Sequence, residues 1–169
     1  MTTNLTNPQA VSTEIPSTAD IITKELIEDA VTVNLVVEIE TVIASMALDQ
    51  KVMVSHSDEK YSWKFQYGSV EVFVQLTGLS DEDTLTVWSF VLPLSAKNES
   101  ELFRKLLEMN YLETFEARFG ILDNNIIVVS SRTVADISPQ EISRIITIVA
   151  MIADENDDAL QAEYGGSNK

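Results

Sequence analysis

The chain has 169 residues, 45% of them apolar, and its 27 acidic against 11 basic residues leave a formal net charge of −16. That length suits one domain with a real core. The acidity excludes a broad basic face for nucleic acid or anionic membranes, because binding to phosphates draws its free energy from cations that displace counterions, and the absence of cysteine excludes a disulfide framework, a thiolate metal site and a cysteine nucleophile.

Residues 1–18 carry Pro8, Pro16 and many Thr, Ser and Asn without an apolar period, which predicts a disordered tail. No basic stretch followed by an apolar one opens the chain, and no apolar run approaches the roughly 20 residues that cross a bilayer. A cytoplasmic location with no membrane partner is expected. A single domain is expected over residues 19–163, and residues 164–169, rich in Gly, form a second tail. At the start of that domain Ile22, Leu26 and Ala30 suggest a short helix. Leu35, Ile39, Val42, Ile43 and Met46 then form a helical stripe, although Val31, Val33, Leu35, Val37 and Ile39 also alternate as a strand would; a helix over Asn34 to Ala47 is the preferred reading.

The middle of the chain reads as β. Val52 and Val54 alternate, then Tyr61, Trp63, Phe65 and Tyr67, then Val70, Val72, Val74 and Leu76, with Gly68-Ser69 as a turn; Leu85 to Leu92 follows the acidic loop Gly78 to Asp83. Asn98 with Glu101 has capping-box spacing, which starts a helix whose apolar side carries Leu102, Phe103, Leu106, Leu107 and Met109 and which Asn110 can end. Phe115, Ala117, Phe119 and Ile121 alternate, Asp123-Asn124-Asn125 supplies a turn, and Ile126 to Val129 complete a hairpin. Ser138-Pro139-Gln140-Glu141 combines an N-cap, a proline at the first helical position and a capping glutamate, the strongest local signal in the chain. Short connections and no βαβ repeat predict an α+β fold: an antiparallel sheet of about five strands with helices packed on one face.

Candidate chemistry is sparse. His56, the single histidine, sits in His56-Ser57-Asp58, which reads as a turn rather than an acid-base unit, and the five glycines make no phosphate loop or dinucleotide fingerprint. Asp154 to Asp158 resembles a calcium loop but has Ala159 and Gly165 where the sharp-turn glycine and the bidentate glutamate belong, so it reads as the solvated end of the last helix. No catalytic, cofactor-binding or metal-ligating residue is assigned. Arg118 and Arg132, on the two strands of the late hairpin, could contact an anion, with local pairing to Glu116 and Asp136 as the simpler role. On the last helix Ile142, Ile145, Ile146, Val149, Ile152, Ala153 and Leu160 form the core stripe, whereas Ile148 and Met151 project to the side of Arg144 and make a candidate protein-contact surface. Trp63 and Trp88 read as core or sheet-face residues; both on an uncovered face would suit an extended apolar peptide.

The runs LLEMN (Leu106 to Asn110), EARFGILDNNIIVVSSR (Glu116 to Arg132), ISPQEI (Ile137 to Ile142) and IADENDDAL (Ile152 to Leu160), with YSWKFQYG (Tyr61 to Gly68) before them, resemble the YbjN family, whose members are described as bacterial sensory-transduction regulators. The resemblance covers most of the ordered chain and rests on packing and turn motifs. It implies a fold similar to type III secretion chaperones, frequent dimerisation and no catalytic residues to carry over. The function it favours is a non-catalytic protein-interaction module, chaperone-like or regulatory, working as a homodimer with a protein partner; the acidic surface serves solubility or draws in a basic segment. The alternative is a small-molecule-binding sensor or a carboxylate-based enzyme, which a concave pocket with converging carboxylates, or with Arg118 and Arg132, would mark.

Overall fold

A computed structural model describes residues 18–47, 52–57, 60–94 and 97–166. The expected N-terminal tail lies outside these residues except for Thr18. The elements in chain order are α1 (Thr18–Met46), β1 (Val52–Ser57), β2 (Lys60–Tyr67), β3 (Val70–Leu76), β4 (Thr84–Pro93), α2 (Glu99–Leu112), β5 (Arg118–Leu122), β6 (Asn125–Thr133) and α3 (Pro139–Tyr164). Two compact units divide within α1, at residues 1–34 and 35–169. In the first, Ile22 and Leu26 are exposed. One helix thus replaces the two expected over residues 19–47, and the alternating valines are helical.

In the second unit six strands, rather than about five, form one antiparallel sheet in the order β1-β2-β3-β4-β6-β5. Every neighbouring pair is antiparallel, as short connections require for all but β4 and β6, which pair across the intervening α2 and β5. His56 lies on β1 opposite Tyr61, not in a turn. Strand alternation sorts the side chains onto two faces. Trp63 and Phe65, Val72 and Val74, Leu85 and Val87, and Ile126 and Val128 point to one face and are buried there. Val91 is an extra residue between Phe90 and Leu92, a bulge that lets Val91 and Leu92 both reach the core.

The helices cover that face. Their buried side chains are Leu35, Ile39, Val42 and Ile43 of α1, Leu102 and Leu106 of α2, and nine residues of α3 from Ile142 to Tyr164. Together with the strands' inner residues they form one core. Ala150 and Ala153, fully buried, let the α3 backbone sit close to the sheet. Indole N–H of Trp63 donates to Glu40 of α1 at 3.2 Å.

Capping follows the residues unequally. At Ser138 the full box forms: its hydroxyl accepts from the Glu141 N–H, and the Glu141 carboxylate accepts from the Ser138 N–H at 2.9 Å. Asn98 instead sits in the left-handed region at φ 53°, and its side chain caps nothing, so the box expected there does not form. Asn110 does not end α2, which runs on to Leu112. Its amide faces the outer edge of β5, accepting from the Phe119 N–H at 2.7 Å and donating to the Phe119 C=O at 3.2 Å. A side chain thus takes the place of a missing neighbouring strand. The strand itself starts at Arg118, because Phe115 is left-handed (φ 51°) and exposed. Asp123 and Asn124, both with positive φ, close the two-residue hairpin as expected.

The acidic run on α3 is not a helix end. α3 continues to Tyr164, which is buried and whose C=O accepts from the Lys97 N–H at 2.8 Å, so the ordered chain passes the expected boundary at residue 163. Asp154 accepts from the Ser69 N–H at 2.7 Å and Asp157 from the Ser69 hydroxyl at 2.7 Å, tying the β2–β3 turn to α3. Gly68 in that turn has φ +51°, and a β-carbon there would lie 1.9 Å from the Asp154 carboxylate oxygen. Asp83 plays the same organising part in the β3–β4 loop, accepting from the Thr77 hydroxyl at 2.9 Å and from the Ser80 hydroxyl and N–H at 2.6 and 3.0 Å. These bonds, those from the Ser80 and Thr77 hydroxyls first, hold its carboxyl below the usual carboxylate range.

Three outcomes follow from this packing. Gly68→Ala should cost about 2 kcal/mol through backbone strain and a displaced Asp154; in an Asp154→Ala background the cost should fall, and equal costs in both backgrounds by urea unfolding would show that Asp154 is not what Gly68 makes room for. Asn110→Ala should cost about 1–3 kcal/mol by leaving both Phe119 backbone groups unpaired, and Asn110→Asp should be no better, since a carboxylate cannot donate to the Phe119 carbonyl. For Asp83 the native pKa lies below the unfolded one, so its stabilisation is full above the ordinary carboxylate pKa near 3.8 and fades as pH falls through the lower native value. The Tm deficit of Asp83→Asn should therefore be widest at neutral pH and close in acid; a deficit constant from pH 7 to 3 would contradict it.

Candidate functional site

Arg118 and Arg132 do not meet. Arg118 pairs in register with Val129, and Arg132 lies three residues further along β6, hence on the opposite face of the sheet. Arg132 forms an ion pair with Glu141 in the first turn of α3. The Arg118 guanidinium turns back onto the carbonyls of Phe115 and Ala117. Neither pairs with Glu116 or Asp136. Glu116 is taken by Arg144, which donates through Nε at 2.7 Å and through a terminal nitrogen at 3.1 Å. The Arg144 hydrogen bond is the leading reason the Glu116 carboxyl sits below its ordinary range. A cavity of about 250 Å³ lies among Glu116, Ser130, Arg132, Glu141 and Arg144, but its charges already satisfy one another.

On α3 the two candidate contact residues separate. Met151 is 41% exposed, whereas Ile148 is half-buried against the core, beside Glu38 and Val42 of α1. The stripe was judged on α3 alone, and the second half of α1 covers the side on which Ile148 projects. Arg144 lines the same groove but is held by Glu116. The groove, about 690 Å³, also passes Gln140, Ser143 and Thr147 of α3. The two tryptophans separate as well. Trp63 faces the helices and Trp88 the open side of the sheet.

The most exposed large apolar side chains among the described residues lie instead on α2 and the turn after it. Leu107 (68% exposed), Tyr111 (89%), Leu112 (71%) and Phe115 (70%) lie within nine residues of one another, and Ile121 of β5 (59%) extends the patch. Leu107 was expected on the core side. Only Leu102 and Leu106 reach the core, and Phe103 and Met109 are half-buried beside them. A groove of about 580 Å³ runs over Phe103, Arg104, Leu107, Glu108 and Tyr111, and a second of about 410 Å³ joins Leu107 to Phe119 and Ile121. The signal that could have exposed this surface was width: apolar residues from Leu102 to Phe115 occupy more of the helix than one sheet face can cover.

A second apolar surface is the open face of the sheet. Phe73 and Trp88 stack at 5.4 Å between centroids, Phe90 meets Phe73 edge-on at 5.5 Å, and Lys64 Nζ lies 5.4 Å from the Phe73 centroid while pairing with Glu71 at 2.6 Å. Ile127 is buried on this side, apart from the main core.

Among the described residues no group of three His, Cys, Asp or Glu side chains could hold a metal ion, and no helix is long and apolar enough to cross a membrane. Comparison with curated proteins finds no match. A chain of the crystal structure of the ExsC–ExsE complex matches with a TM-score of 0.42 and 15% identity, over 71% of this chain and 93% of that one. The family model described as "Putative bacterial sensory transduction regulator" matches residues 36–162. That span holds the whole six-stranded sheet, α2, and α3 up to its last turn, and with it the chain belongs to the YbjN family.

Proposed function

We propose that this chain is a non-catalytic, cytoplasmic protein-binding regulator that works as a homodimer joined through α2. The observation that carries the reading is the apolar run Leu107, Tyr111, Leu112 and Phe115, each about two-thirds or more exposed and adjoining in one stretch of chain. Contiguous apolar surface of this kind on a single chain marks a contact site. Arg104 and Glu108 flank Leu107 one helical turn apart. Two α2 helices crossing antiparallel about a twofold axis near Leu107 would set Arg104 of one protomer against Glu108 of its partner, and the reverse, so the face is complementary to itself. Ile121 and the β5 side of the patch widen the contact toward the roughly 1,000 Å² that a specific interface needs.

A small-molecule sensor or carboxylate enzyme would want unpaired charged groups converging on a cavity. Here Glu116, Arg132, Glu141 and Arg144 are neutralised in pairs, which favours the interaction reading. A regulatory role is also what the family description supports.

Sedimentation velocity at tens of micromolar should give a species of twice the 18.8 kDa chain mass. Leu107→Arg combined with Tyr111→Asp should give a folded monomer whose Tm no longer depends on protein concentration, as that of the parent dimer should. A monomeric parent, or a double variant that remains dimeric, would refute the α2 dimer.

A further inference from the structure

One row of outward-facing residues crosses the whole sheet: Met53, Lys64, Phe73, Trp88, Val129 and Arg118, one from each strand in sheet order. Its centre is apolar, with Phe90 and Ile127 adjoining on β4 and β6. Its flanks carry the strand cations: Lys60, and Lys64 in its pair with Glu71, on one side, and Arg118, with its guanidinium on the Phe115 and Ala117 carbonyls, on the other. Of all the outward strand positions, Lys60, Lys64 and Arg118 are cationic and Glu71 alone is anionic, on a chain of net charge −16. The apolar centre spans β3, β4 and β6, about 10 Å at the usual strand spacing. That is the width of one α-helix with its side chains, about 10–12 Å. Lys64 and Arg118 lie on the next strand out on either side.

We propose that the open face of the sheet, centred on Phe73, Trp88 and Phe90, docks an amphipathic helix of a partner protein whose apolar stripe is bordered by Asp and Glu. The helix lies along β4 with its stripe on the aromatic cluster. Its acidic borders reach Lys60 and Lys64 on one side and Arg118 on the other. Single-stranded nucleic acid would need free ring faces for its bases to stack on. Phe73 and Trp88 spend theirs on each other, with rings 11° from parallel.

The site is separate from the α2 patch, so its test stands apart from the dimer. Two 18-residue helical peptides with the same Leu/Phe stripe, one bordered by Glu and one by Lys, are titrated into the full chain. Binding is followed by peptide anisotropy and by acrylamide quenching of tryptophan; Trp63 is buried on the other face, so the change reports Trp88. The Glu-bordered peptide should bind at least tenfold tighter at low salt and should shield Trp88. Lys60→Glu with Lys64→Glu should weaken it at least tenfold and favour the Lys-bordered peptide. Phe90→Ser should weaken both peptides, and Leu107→Arg with Tyr111→Asp should change neither. Equal affinity for the two peptides, no binding of the Glu-bordered peptide at about 100 µM, loss of binding in the α2 variant, or tighter binding of a ten-nucleotide oligouridine would each overturn the proposal.

Discussion

The fold depends on one contact, the apolar side of α3 laid across the covered face of the sheet. Ile142, Ile145, Ile146, Val149, Ala150, Ile152, Ala153, Leu160 and Tyr164 run the length of a 26-residue helix and are all buried. No other element reaches as much of the domain. Near its start Glu141 pairs with Arg132 of β6 and Arg144 with Glu116 before β5; in its middle Asp154 and Asp157 hold the β2–β3 turn; at its end Glu163 pairs with Lys105 of α2. Exposed pairs of this kind each contribute little. Their effect is register: an apolar helix could slide along an apolar sheet, and polar ties at three points along its length fix where it stops.

The same ties distribute the charge. Arg132, Arg144 and Lys105 are consumed around the helical layer, so in spite of the net charge of −16 the positive side chains that remain on the strands stand on the opposite face. Acidity read as a single number leads to the expectation of no nucleic-acid partner. It does not describe the open face, where cations outnumber carboxylates.

What could be read from the sequence was whatever a few neighbouring residues decide among themselves. The Ser138 box, the Asp123-Asn124 turn, the alternation of β2 and β3 and the helical stripe of α3 each involve partners within one or two turns of chain, and each stands in the structure. Asn98 shows the limit. It carries the same spacing as Ser138 but adopts a left-handed backbone in the connection between β4 and α2, and the motif is lost. Asn110 looked like a helix end because its partner, the Phe119 backbone, exists only once β5 is beside α2. Alternation divides the aromatic residues of β2, β3 and β4 into two sets without saying which set the helices cover; the choice puts Trp63 inside and Trp88 outside. Ile148 and Leu107 failed in opposite directions for one reason: a helical stripe has an angle, but the width of what lies against it is set by other elements.

The open-face cluster also bears on how a monomer can carry such a surface and still fold alone. Phe73, Trp88 and Phe90 turn their ring faces and edges onto one another, so part of the apolar area is removed from water before any partner arrives. Rings fixed by mutual stacking on rigid strands lose little further freedom on binding, which is the condition under which a modest apolar area yields useful affinity. The α2 patch is built the other way. Tyr111 and Phe115 stand out from the surface with most of their area in water, so covering them removes more apolar area per side chain than the stacked rings can offer. A lasting contact between copies therefore suits α2, and a reversible contact with a partner helix suits the sheet.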